Sequence, residues 1–209
     1  MRVMDKSQIW ATIHAERKAL AADLEGLTEQ QWATPSLCTG WTVRDVLAHM
    51  TGTAEKTTLN FFPSLVANGF SLSKLQNKDI KRVEATGDVL GAFKGAMGKS
   101  TSPPGPTMTW LGETLVHGDD IRRPLGITYD YPADAAAAVA DSYKATNLVM
   151  GSKRRIAGVK LVATDTDWSH GDGPEVRGPM MALLMAMAGR AAAMSDLSGE
   201  GAQTLSAQL

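Results

Sequence analysis

The chain has 209 residues, 44% hydrophobic and 21% charged, the balance of a globular protein rather than a disordered one. Its 21 basic and 22 acidic side chains leave a net charge of -1, which supplies no basic field for a nucleic-acid backbone or an anionic membrane. A single cysteine, Cys38, excludes an internal disulfide framework and a cysteine-built zinc site, and fits a reducing compartment.

The opening Met1-Arg2-Val3-Met4-Asp5-Lys6 runs into mixed polar sequence without an apolar signal core, and no stretch approaches the roughly 20 apolar residues of a membrane helix. A cytoplasmic protein acting on small molecules is the expectation. Residues 5–25 read as an amphipathic helix on Ile9, Trp10, Ile13, Leu20 and Leu24. Thr28 and Gln31 form a capping-box pattern before Trp32, and residues 35–40 read as a loop. Thr42 and Asp45 open the next helix with a second box, and its stripe is Val43, Val46, Leu47, Met50 and Ala54. Asn68-Gly69 reads as its stop, with a kink or early end near Phe62 because of Pro63. A glycine-weakened helix is expected at 83–97, a loop at 99–106 and a helix at 110–122 closed by Pro124-Leu125-Gly126. Pro132 precedes an alanine-rich last bundle helix at 133–150.

After Gly151 the pattern changes. Val159, Leu161 and Ala163 alternate as in a strand, a turn-rich run leads to Glu175-Val176-Arg177, and Pro179 starts a helix through Met187 closed by Gly189. The chain therefore reads as mainly α: a helical bundle over residues 1–150, then a small α/β unit of hairpin and helix over 151–209.

Candidate chemistry centres on the histidines. Glu113 and His117 stand four apart on one helix, so both side chains point the same way. Trp110, Thr114 and Ile121 bracket them, which turns the pair inward, and a buried carboxylate then needs a compensating cation such as a metal. The same spacing also suits an exposed pair or an intrahelical hydrogen bond. His49 is the candidate third ligand, with Asp45 one turn earlier as an acceptor for its other ring nitrogen. His49 lies well off its helix's apolar stripe, so plain exposure competes with that reading.

Other groups carry less. Asp165 and Asp167 open like a calcium loop, but Ser169 and His170 break the pattern, and a turn is the better reading. His14 and His170 read as surface residues, Cys38 as a packing residue, and 180–187 as core. Asp120 stands three residues past His117, either near the site or solvating the helix end. Arg122, Arg177 and Arg190 are candidates to pair with a carboxylate substrate.

Trp32, the stretch Cys38-Thr39-Gly40-Trp41-Thr42-Val43-Arg44-Asp45-Val46-Leu47-Ala48-His49, and Glu113-Thr114-Leu115-Val116-His117-Gly118-Asp119-Asp120-Ile121-Arg122 resemble the mycothiol-dependent maleylpyruvate isomerase family. Ala163-Thr164-Asp165-Thr166-Asp167-Trp168-Ser169, Gly171 to Pro179 and Gly189-Arg190 resemble that family's C-terminal region. The resemblance implies a DinB-like four-helix bundle of the actinobacterial metalloprotein type, with His49, Glu113 and His117 as metal ligands. Two histidines, a carboxylate and one open position suit catalytic zinc, although iron or nickel could use the same donors. It further implies mycothiol as cosubstrate, with the metal-bound thiol or water as the reactive group and no side chain as nucleophile. A mycothiol-dependent transferase or isomerase acting on a small electrophile is the resulting expectation. The rivals are a non-catalytic metal- or ligand-binding module and a metal-dependent hydrolase.

Overall fold

A computed structural model describes residues 4–148 and 150–209. Met1-Arg2-Val3 of the signal-peptide reading and Val149 of the alanine-rich segment lie outside the described residues. The chain divides into two compact units, Lys6–Tyr129 and one containing Asp130–Leu209.

The first unit is helical. It comprises α1 (Lys6–Asp23), α2 (Glu29–Trp32), α3 (Val43–Glu55), α4 (Thr58–Ala67), α5 (Leu72–Glu84), α6 (Val89–Ala96) and α7 (Thr107–Arg122). Helix α7 packs on both α1 and α3, and α5 and α6 pack against α3. The core is the one the periodicity marks: Leu20 and Leu24 from α1, Val43, Val46, Leu47 and Met50 from α3, with Ile80, Val83 and Phe93 opposite. Gly52 makes the α3–α5 approach possible, since a Cβ there would meet Asp79 Cβ at 3.0 Å.

Local chemistry explains the helix starts. Thr28 with Gln31, and Thr42 with Asp45, both form capping boxes, as their spacing predicts. The span from Thr42 to Asn68 is two helices, and the break falls at Lys56-Thr57 rather than near Phe62. Thr57 caps a new helix with Asn60, and Lys56 turns away to pair with Asp79 at 2.8 Å. Pro63 sits inside α4 without ending it. Helix α5 was not expected from the sequence, and the expected helix at 83–97 begins only at Val89, after the Gly87 turn.

The second unit comprises α8 (Ala133–Tyr143), α9 (Ser152–Arg155), β1 (Lys160–Ala163), β2 (Ser169–His170), β3 (Glu175–Gly178), α10 (Met180–Met187), a 3-10 turn at Ala191–Asp196 and α11 (Ala202–Ser206). Its sheet has the order β2-β1-β3, with β1 antiparallel to β2 but parallel to β3. The expected hairpin is thus only β1–β2. Every side chain of α10 is buried, and Asp165 Oδ1 accepts from Met180 N at 2.8 Å to start it, so the Asp165 turn is a helix cap.

The alanine-rich helix α8 packs on α10. It belongs to the compact unit that contains Asp130–Leu209. Small alanine side chains let α8 and α10 lie close together, whereas sequence periodicity carries no information on which partner a helix meets. Among the described residues, no helix is long and apolar enough to cross a membrane.

Candidate functional site

His49 projects from α3 and His117 from α7, and their rings meet edge to face with centroids 5.2 Å apart. The Trp41 ring lies 5.1 Å from His49 on its other side. The loop that carries Trp41 and Cys38 is pinned to α7, because Leu37 N donates to Asp120 O at 3.2 Å. Ser36 Oγ accepts from Cys38 N at 3.1 Å and donates to Trp41 O at 2.8 Å, which fixes the loop internally.

Beneath His117 is a hydrogen-bonded cluster. Its Nδ1 lies 2.9 Å from Oδ2 of the fully buried Asp120, and a carboxylate can only accept, so Nδ1 carries the hydrogen. Cys38 Sγ donates to the same oxygen at 3.0 Å and lies 3.6 Å from Nδ1. This arrangement orients the imidazole and leaves Nε2 as the nitrogen available to a metal. Burial alone would push the His117 pKa down, but the Asp120 and Cys38 hydrogen bonds prevail and raise it to about 10. His49 goes the other way, to about 3, through burial and the charge of His117, so it stands neutral with its lone pair free.

Glu113 lies one turn before His117 on α7. Burial pushes its carboxyl up, against the pull of Arg17, His117 and hydrogen bonds from Thr53 and Thr114. Thr114 Oγ1 is 3.5 Å from Oε2, while the buried Oε1 has no hydrogen-bond partner. An orphaned carboxylate oxygen beside a neutral imidazole and an oriented one is a donor set suited to a divalent cation. His49, Glu113 and His117 therefore fit the metal that the resemblance implies. Among the described residues, the set whose donor atoms all lie within 4.8 Å of one another is a different one, Cys38, His117 and Asp120. That set draws on Nδ1, which Asp120 already occupies.

The remaining candidates sort by surroundings. Asp120 accepts a hydrogen bond from His117 Nδ1 at 2.9 Å. Asp45 Oδ2 accepts from Thr42 N at 2.7 Å, which makes it part of the cap of α3. Arg122 is 1% exposed, paired to Asp23 at 2.7 Å and stacked 3.6 Å over the Tyr129 ring, which makes it a bundle brace instead of a substrate ligand. Arg177 pairs with Glu175 at 2.7 Å on exposed β3, and Arg190 donates to Ala188 O at 2.9 Å; both belong to the second unit. Cys38, read as packing, does pack against the core and also abuts His117. Sequence reasoning missed Arg17. Arg17 occupies a buried position in the Ile13, Leu20, Leu24 stripe, and that charged interruption was the visible signal.

Residues 13–68, which include Arg17, Cys38, Trp41 and His49, match the family model described as "Mycothiol maleylpyruvate isomerase N-terminal domain". These residues resemble that domain family. The family resemblance read from the motifs is borne out there. No curated protein sequence matches the chain. Two solved structures of the mycothiol-dependent maleylpyruvate isomerase share its fold. One superposes with a TM-score of 0.64 at 14% identity, and the other, a histidine-to-alanine mutant, with 0.63 at 13%. In each case the match covers 95% of this chain and 94% of that one, so both units have counterparts in the isomerase fold.

Proposed function

We propose that the chain is an enzyme of thiol-dependent isomerisation or transfer that holds a divalent metal, zinc first, through His49, Glu113 and His117. Mycothiol is its thiol cosubstrate and a small electrophile its substrate. The observation that carries this reading is the orphaned buried Oε1 of Glu113, one helical turn before His117, whose ring meets that of His49 at 5.2 Å. A divalent metal, when bound, lowers the pKa of a coordinated thiol and so supplies a nucleophile near neutral pH.

The chain's own residues supply position and exclusion. Asp120 holds His117 in one tautomer and one orientation. Trp41 packs against His49 and limits its ring rotation. Cys38 is spent as a hydrogen-bond donor to Asp120, so the reactive thiol arrives as a small molecule. The names of the isomerase structures and of the domain family support thiol-dependent isomerisation as the reaction type.

The test is metal analysis of native protein beside His49→Ala and His117→Ala, with thermal melts on adding mycothiol to zinc-loaded protein. Native protein is expected to hold zinc, each variant to lose most of it, and mycothiol to raise the melting temperature. Undiminished zinc in both variants overturns the ligand assignment. Zinc without any mycothiol shift points instead to a hydrolase or a binding module.

A further inference from the structure

Helix α4 carries its more apolar side outward. None of its residues is buried. Its half-covered side holds Phe61, Ser64 and Leu65, whereas Leu59, Phe62, Pro63 and Val66 are exposed. Those four stand at helical spacing and so form one stripe, the reverse of a surface helix that keeps its polar side in water. The turn that follows adds to it. Phe70 holds a left-handed φ of 59°, a costly conformation for a bulky side chain, and its N donates to Leu65 O at 2.9 Å, which keeps it beside the last turn of α4. Leu59 is 89% exposed and Phe70 73%, with Phe62, Val66 and Leu72 each more than half exposed.

Taking ~150–250 Å² for a large apolar side chain, these five leave roughly 600 Å² a copy in water, the upper end of what a monomer shows. Closed on a second copy, the face would remove roughly 1,200 Å² in all, the lower bound of a stable interface. Charge selects the occupant. From Thr57 to Ser73 the chain has no charged side chain, so an identical face meets it with no like charges opposed. A charged partner has nothing on this face to read, and α4 lacks the Lys and Arg that a membrane-surface helix carries on its polar side. We propose that α4 is the contact face of a two-fold homodimer, in which two α4 helices pack antiparallel about Phe62 and Pro63. The stripe is centred there, so Leu59 of one protomer meets Val66 of its partner, and the reverse contact follows by symmetry. The proposal stands independently of the metal reading.

The experiment is sedimentation equilibrium of the full chain over a wide concentration range, with circular-dichroism melts of each variant. Native protein is expected to reach twice its 22.2 kDa at high concentration and to dissociate on dilution. Phe62→Glu and Phe62→Lys should each weaken association at least tenfold, with the melting temperature of the dilute monomer unchanged because position 62 is exposed. Mixed in equal parts, the two variants should recover the dimer, since opposite charges then meet at the axis. Leu59→Glu is a second disrupting variant should the substitutions at Phe62 prevent folding. A native mass of 22.2 kDa throughout overturns the proposal, and binding of that monomer to phosphatidylglycerol vesicles would assign the face to lipid instead. A dimer as tight in Phe62→Glu and Leu59→Glu as in native protein also overturns it. A mixture no heavier than its separate components overturns the packing about Phe62.

Discussion

His49 and His117 face each other at 5.2 Å yet hold protons over opposite pH ranges. In metal-free protein the raised His117 pKa stabilises the fold fully below the unfolded value of 6.5, and this is lost as pH rises toward about 10. The lowered His49 pKa acts from the other side: its neutral form is favoured above 6.5, and stability is lost as pH falls toward about 3. Metal-free protein should therefore lose stability in both directions from mildly acidic pH. Denaturant titrations of native protein and His117→Gln should show the alkaline slope flattened in the variant, and an identical slope in both would contradict the assignment. The proposed ligand residues were readable from Glu113-x-x-x-His117 and from the motif around His49. What was not readable is which nitrogen of His117 is free, since Cys38 and Asp120 lie far apart in sequence and meet only across the loop and α7.

The helix α3 delivers both the cap and a ligand, and the two duties separate cleanly. Removing the cap with Thr42→Ala is expected to cost about 1 kcal/mol, seen as a lower denaturation midpoint. Asp45→Ala should cost a similar amount and leave zinc content unchanged, because Asp45 is engaged in the cap with Thr42. A loss of zinc in that variant would return Asp45 to the metal site. Capping boxes were legible because three-residue spacing and side-chain type suffice to define them. Helix α5 was not, because its inward residues are only Leu75, Ile80 and Val83 among many polar ones, a stripe too sparse to stand out. The break at Thr57 was hidden by a continuous apolar pattern on both sides of it.

At the scale of the chain, the unit Lys6–Tyr129 holds its own hydrophobic core and every proposed ligand. A fragment of residues 6–129 is expected to melt cooperatively and to bind zinc at the stoichiometry of the full chain. Non-cooperative melting or absent zinc would show that the site needs more than its own unit. Within this unit Arg122 joins α7 to α1 through Asp23 and stacks on Tyr129. Arg122→Ala should destabilise the chain by roughly 3 kcal/mol, since it empties a buried position and breaks the ion pair to the partly exposed Asp23, and circular-dichroism melts would read it directly.

Composition, helical periodicity and two short motifs were enough to mark a mainly helical protein with a small α/β tail and to single out the histidine pair proposed as a metal site. Those features are local: they depend on residues a few positions apart, whose geometry a helix dictates by itself. The partner of the alanine-rich helix, the parallel pairing of β1 with β3 and the bracing duty of Arg122 were decided only by tertiary structure. Each depends on which surfaces meet after folding, and a buried charge shows whether it is paired only when its neighbours are in place.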